Sequence, residues 1–165
     1  DTERKTGKLA AESISNNLKK EITEKRSLNP RFYDSMGTLL VRLLEDHKKG
    51  IVEYKDFLEK VVDLAKKIKY GEKPRAQSIN TPRLKVLYDN APVPRRHAER
   101  FPEQFALVMD RKCAEMQAGF QDPLSLRYRE ARFLIQEGLE ELADEFGLDI
   151  NDEAIEKIFN LAKLY

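Results

Sequence analysis

Apolar residues recur along this chain at helical intervals. Leu9, Ile14, Leu18 and Ile22 are spaced by about four with polar residues between them, the stripe of an amphipathic helix. Asn29-Pro30 ends it. A second helix is predicted from about Arg31 to about Lys49, with Phe32, Met36, Leu39, Leu40, Leu43 and Leu44 turned inward and Gly50 as its stop. A third, from about Glu53 to Tyr70, carries Tyr54, Phe57, Leu58, Val61, Val62, Leu64, Ala65 and Ile68, and Gly71 and Pro74 close it. The short turn at Gly50 predicts an antiparallel hairpin of the second and third helices.

Residues 71–80 form a polar connector rich in Gly, Lys, Arg and Pro. Thr81-Pro82 then reads as an N-cap followed by a first-turn proline, opening a short helix through Tyr88. Pro92, Pro94 and Pro102 mark residues 90–102 as an irregular excursion, because proline cannot donate to a regular hydrogen-bond ladder. Helical pattern resumes near Glu103 with Phe105, Ala106, Val108, Met109 and Met116, and stops at Gly119. Asp122-Pro123 restarts it, and Tyr128, Ala131, Ile135, Leu139, Leu142 and Phe146 form the longest stripe before Gly147. A last helix from about Asp152 carries Ile155, Ile158, Phe159 and Leu161. No strand alternation of useful length and no internal repeat accompanies these patterns. The expected fold is all-α, a single irregular bundle of about seven helices. Its domain is 1–165, with a helical hairpin region over 1–70 and a second helical half over 81–165.

Composition agrees with a folded chain. The sequence has 165 residues, 41% of them hydrophobic and 36% charged, too apolar for a disordered tail. Thirty Lys and Arg against 29 Asp and Glu leave a formal net charge of +1, so any polyanion binding must be local. One cysteine, Cys113, cannot form an intrachain disulfide, and no apolar run approaches the roughly 20 residues of a membrane span, so a cytoplasmic, membrane-free setting is expected. The start at Asp1-Thr2-Glu3-Arg4, without Met or a signal-peptide core, suggests a domain cut from a longer polypeptide.

Catalytic patterns are missing. Gly7-Lys8 lacks the remaining glycines and the hydroxyl of a phosphate-cradling loop. Glu53-Tyr54-Lys55 matches only the acid-x-Lys fragment of a magnesium nuclease site and opens a helix, with no Asp-bearing strand before it. His47, His97 and Cys113 lie in separate segments without zinc-ligand spacing. His47 near a helix C-terminus reads as a capping residue, Cys113 as a small buried side chain, and Glu140 and Glu141 as solvated charge. No catalytic residue, metal ligand or cofactor is expected in this chain.

Three runs carry a resemblance: Asn29-Pro30-Arg31-Phe32-Tyr33, then Leu43-Leu44-Glu45-Asp46-His47-Lys48-Lys49-Gly50-Ile51, then Tyr54 through Leu64-Ala65-Lys66-Lys67-Ile68. They resemble the C-terminal helical region of the restriction (R, motor) subunit of type I restriction-modification enzymes. Thr81-Pro82, Leu84, Leu87-Tyr88-Asp89-Asn90, Phe105-Ala106-Leu107-Val108-Met109-Asp110 and Ile155-Glu156-Lys157-Ile158-Phe159 look like the family's later landmarks in the same order. The likeness runs from about Leu9 to the end. Where family members often carry a Trp-Arg-Gly-like element, this chain has Gly119-Phe120-Gln121-Asp122-Pro123, so no contact through that Arg is carried over.

The resemblance implies a parent polypeptide with a nuclease domain and two motor domains that translocate and cleave duplex DNA using ATP and magnesium. It implies for this chain a non-catalytic assembly role, docking the motor subunit on the methyltransferase and specificity subunits, with weak, sequence-independent contacts to duplex DNA. Choice of the recognised DNA site belongs to another subunit. The alternative is an independent small helical DNA-binding or regulatory protein.

Two clusters concentrate cations: Lys66, Lys67, Lys69, Lys73 and Arg75 around the end of the third helix, and Arg95, Arg96 and Arg100 in the proline-rich excursion. They read either as phosphate contacts that position DNA or as charge that complements helix C-termini and solvates loops. Tyr33, Tyr54 and Tyr88 read either as stacking groups for a partner or as half-buried core.

Overall fold

A computed structural model describes residues 2–71 and 76–165, with side chains from Ala10 onward in the first stretch. Among the described residues the chain is all-helical: α1 (Thr2–Lys25), a 3-10 turn (Arg26–Leu28), α2 (Pro30–Lys48), α3 (Tyr54–Tyr70), α4 (Pro82–Asp89), α5 (Phe101–Glu115), α6 (Leu126–Phe146) and α7 (Asp152–Ala162). No described helix is long and apolar enough to cross a membrane. The helices fall into two compact units, 1–73 and 74–165, divided within the polar connector.

In the first unit α1, α2 and α3 each pack against the other two. The buried stripe of α1 is Ala11, Ser15, Leu18 and Ile22, with Ile14 at its edge. Phe32, Met36 and Leu40 of α2 and Phe57, Val61, Leu64 and Ile68 of α3 complete the core. Asn29 both follows the 3-10 turn and caps α2, its Oδ1 accepting from the Phe32 amide at 3.3 Å, and Pro30 loses nothing as the first helical residue.

The second unit packs α4 on α5, α5 on α6, α6 on α7, and α7 back on α4. Thr81, Ser125 and Asn151 cap α4, α6 and α7 through side-chain oxygens that accept from the amides of Leu84, Tyr128 and Ala154. The α6 face expected from sequence is buried: Ala131, Ile135, Leu139, Leu142 and Phe146, joined by Gly138. That glycine lets α5 come close, because a Cβ on it would lie 2.8 Å from Met109 Cε and 3.1 Å from its Sδ.

Several boundaries differ from the sequence expectation. Pro102 belongs to the first turn of α5, which starts at Phe101 rather than near Glu103, since a proline there sacrifices no intrahelical donor. α5 ends at Glu115, where Met116 turns extended, well before Gly119. α6 begins only after Ser125, because its hydroxyl supplies the cap and residues 119–125 form turns.

Candidate functional site

Lys66, Lys67 and Lys69 lie exposed in the last turns of α3. Lys67 borders a groove of about 300 Å³ between α2 and α3 that is also lined by Arg42, Lys60, Asp46 and Asp63, so its positive charge is partly balanced on the spot. The Lys69 ammonium lies 5.3 Å from the centre of the Tyr70 ring. Lys73 and Arg75 lie outside the described residues.

The three arginines of the excursion are engaged within their own unit. Helix α6 ends with carbonyls that have no intrahelical donor. Arg96 answers them: Nη2 donates to Asp144 O at 2.6 Å, Nε to Glu145 O at 3.3 Å, and its backbone amide to Phe146 O at 2.9 Å. Arg95 pairs with Asp149 at 2.5 Å and Arg100 with Glu145 at 3.2 Å, while the Arg100 guanidinium sits 5.7 Å from the Phe146 ring centre. The cations therefore complement a helix dipole, but that of α6, a helix remote in sequence. Arg96→Ala is expected to lower the stability of the second unit by about 1–2 kcal/mol, read by urea unfolding. Arg96→Lys should recover only part of this, because one ammonium lacks the forked reach to two carbonyls. A wild-type midpoint for Arg96→Ala would remove the capping role.

The other chemistry-bearing residues are dispersed. Glu53 and Lys55 are exposed at the start of α3. His97 holds a positive φ of 55°, sets its ring edge-on to Phe146 at 6.2 Å, and accepts the Arg100 and Phe101 amides on its carbonyl, which makes it a turn residue. Among the described residues no group of three His, Cys, Asp or Glu could hold a metal ion. Glu141, expected to be simply solvated, pairs with Arg111 at 2.5 Å and with the buried Lys112 at 3.1 Å. The Lys112 hydrogen bond holds its carboxyl below the ordinary range, against the opposing effect of burial.

Cys113 is half-buried rather than fully enclosed. Burial pushes its thiol from about 9 up to about 11, with Arg83 opposing the rise and Asp110 adding to it. A thiol raised in the folded state contributes its full stability below the unfolded value and loses it as pH climbs through the folded one. The unfolding free energy of the native chain should therefore fall relative to Cys113→Ala between about pH 9 and about pH 11. A difference that stays flat over that window would contradict the shielded thiol.

Apolar side chains break the surface of the second unit. Leu124, Leu126 and Phe133 are 96%, 69% and 60% exposed. At about 100° per residue Leu126 and Phe133 share one face of α6, opposite the stripe of Ala131, Ile135, Leu139 and Leu142.

The first unit holds a cavity of about 410 Å³ where α1 meets the end of α2 and the start of α3. Ala11, Leu44 and Phe57 give it apolar walls, and Glu12 and Lys48 are exposed at its margin. His47 does not cap its helix with its side chain as expected. Its ring lies flat on Phe57, centroids 4.2 Å apart and planes 10° from parallel, and edge-on to Tyr54 at 6.1 Å. Ser15 Oγ, His47 Nδ1 and Tyr54 OH are buried without a hydrogen-bond partner among the described residues, and all three side chains line this cavity. Sequence reasoning passed over Ser15, although its register with Ala11, Leu18 and Ile22 places a hydroxyl on the buried face of α1. Comparison with protein-family models, with curated proteins and with solved structures finds no match for this chain.

Proposed function

We propose that this chain is a non-catalytic assembly module of a type I restriction enzyme R subunit, docking the motor subunit on the methyltransferase and specificity core. The observation that carries the reading is the outer face of α6. Leu126 and Phe133 leave large apolar surfaces in water two helical turns apart, beside an exposed Leu124, in a unit whose own core is already filled by the opposite face. Such a face is what a partner's surface would cover, with Phe133 as the aromatic anchor. The family resemblance supplies the partner's identity.

Duplex DNA contacts in this reading rest on Lys66, Lys67 and Lys69, because Arg95, Arg96 and Arg100 already serve α6 and stand among the acids Glu145 and Asp149. Phosphate contact by three lysines is weak and indifferent to sequence.

The test mixes the purified chain with the purified methyltransferase–specificity complex and follows co-elution. Phe133→Asp with Leu126→Ser should abolish it, with the helical spectrum unchanged. Lys66→Ala, Lys67→Ala and Lys69→Ala together should preserve docking, weaken DNA binding and flatten its salt dependence by about three phosphate contacts. Intact docking by the α6 double variant would remove this surface from the proposal. Tight DNA binding by the chain alone would favour the alternative, an independent helical DNA-binding or regulatory protein.

A further inference from the structure

We propose that the last two turns of α3 bind single-stranded nucleic acid, with one unpaired base stacked on Tyr70 and backbone phosphates held by Lys66 and Lys67. Tyr70 is 73% exposed and takes no part in the core of the first unit, whereas Tyr33 and Tyr54 pack against that core. Folding gains nothing from such a ring. Lys69 approaches its centre at 5.3 Å, and the high exposure leaves the opposite face open to water.

Helical periodicity sets the ring among cations. Lys66 and Lys67 stand four and three residues before Tyr70, so at about 100° per residue they flank it at about 40° and about 60°, one turn back. Both are exposed. The buried residues Val61, Leu64 and Ile68 occupy the other side of the helix. Residues 64–70 hold three lysines and no acid, and neither Lys66 nor Lys67 joins an ion pair among the described residues. Lysines in a last turn complement the helix dipole, which accounts for the charge. It does not account for the ring.

The pairing of ring and charge selects the ligand. Phosphates answer the lysines in any nucleic acid, but in a duplex each base face is covered by the neighbouring pair, and Tyr70 would have nothing to stack on. An unpaired strand offers both groups at once, and an aromatic platform beside a cationic track is how strands are held without regard to sequence. A lipid surface fits less well, because it takes an apolar face several residues wide. In these two turns Tyr70 is the one largely exposed apolar side chain. The inference goes beyond the assembly role and shares Lys66 and Lys67 with its duplex contacts; co-elution reads the α6 face, whereas Tyr70 variants read only the end of α3, so either can fail alone.

The test uses the whole chain and fluorescence anisotropy at low salt, with a labelled oligothymidylate of about twelve nucleotides, the same strand in duplex with oligoadenylate, and phosphatidylserine vesicles as competitor. The expected result is saturable binding of the single strand, about tenfold tighter than that of the duplex. Tyr70→Ala should weaken single-strand binding about tenfold and leave duplex binding unchanged, while Tyr70→Phe, which keeps the flat face, should stay within about twofold of the native chain. Lys66→Ala with Lys67→Ala should weaken both and reduce the single-strand salt slope by about 1.4, the share of two phosphates. Because Tyr70 lies outside the core, its substitutions should leave the thermal midpoint in place, so a lost affinity will not be a lost fold. No saturable binding of the single strand would overturn the proposal. So would a duplex bound as tightly, a Tyr70→Ala variant that binds like the native chain, or vesicles that displace the strand at equal accessible charge.

Discussion

Replacing Phe146 with alanine is expected to destabilise the second unit by about 3–5 kcal/mol, the usual loss for a large aromatic removed from a core that cannot collapse onto the gap. Phe146 is only 1% exposed, and its ring meets Phe101 at 5.1 Å and the edge of His97 at 6.2 Å. Arg100 covers it as well. The residue is also the last of α6, and its carbonyl accepts from the backbone amides of both Arg95 and Arg96. One side chain thus joins the α5–α6 core to the excursion that caps α6. Hydrogen exchange should show the loss in the amides of α5 and α6 together with residues 95–97. A change below about 1 kcal/mol in urea unfolding would mean that the neighbouring rings close the gap, and that the site is far more plastic than a close-packed core allows. Phe146→Leu, which keeps most of the apolar volume but no flat face for Arg100, should lose about 1–2 kcal/mol.

How much of this was legible in the sequence follows from which interactions are local. The α6 stripe could be read because burial there depends only on helical periodicity, and Ala131, Ile135, Leu139, Leu142 and Phe146 lie where that period puts them. Thr81-Pro82 could be read because a cap and a first-turn proline act within four residues. Pro102 misled, since the same ring that excludes proline from a helix interior is accommodated in a first turn, and nothing local separates the two cases.

The candidate sites were legible only in part, for a related reason. Arg95, Arg96 and Arg100 were visible as a cluster, yet what neutralises them lies on residues 144–149, far along the chain. Charge clustering in sequence records cations and omits the acids and carbonyls the fold brings to meet them. The cavity was less visible still. His47, Tyr54 and Ser15 look unremarkable one at a time, as a helix-end imidazole, a half-buried phenol and a polar helix residue. Their common feature is that each polar atom is buried without a partner, and that exists only once three helices have assembled. Phe133 was left out of the expected α6 stripe because it is off the period, and being off the period is what exposes it.

Gly147→Ala is expected to cost the second unit about 2–3 kcal/mol, from two strains that can be separated. The first is conformational. Gly147 ends α6 with φ of 69° and ψ of 80°, and its amide donates to Ala143 O at 2.8 Å, so the left-handed turn is what closes the helix. An L side chain there crowds its own backbone. The second is a contact. A Cβ on residue 147 would stand 3.0 Å from Arg95 Cβ and 3.3 Å from the Arg96 guanidinium. Arg95 cannot withdraw easily, because its amide is shared between Phe146 O at 3.0 Å and Gly147 O at 3.1 Å. Relief would therefore have to come from Arg96, whose fork would leave the Asp144 and Glu145 carbonyls it caps. Gly147→Asn divides the two causes, since asparagine tolerates the left-handed region but brings the same Cβ. Its remaining loss measures the crowding against Arg95 and Arg96. If Gly147→Asn matches the native chain in urea unfolding while Gly147→Ala does not, backbone conformation alone explains the cost and the excursion yields freely. If both variants lose stability, and Arg96→Ala then adds little to either, the close approach at residue 147 is what holds Arg96 on the end of α6.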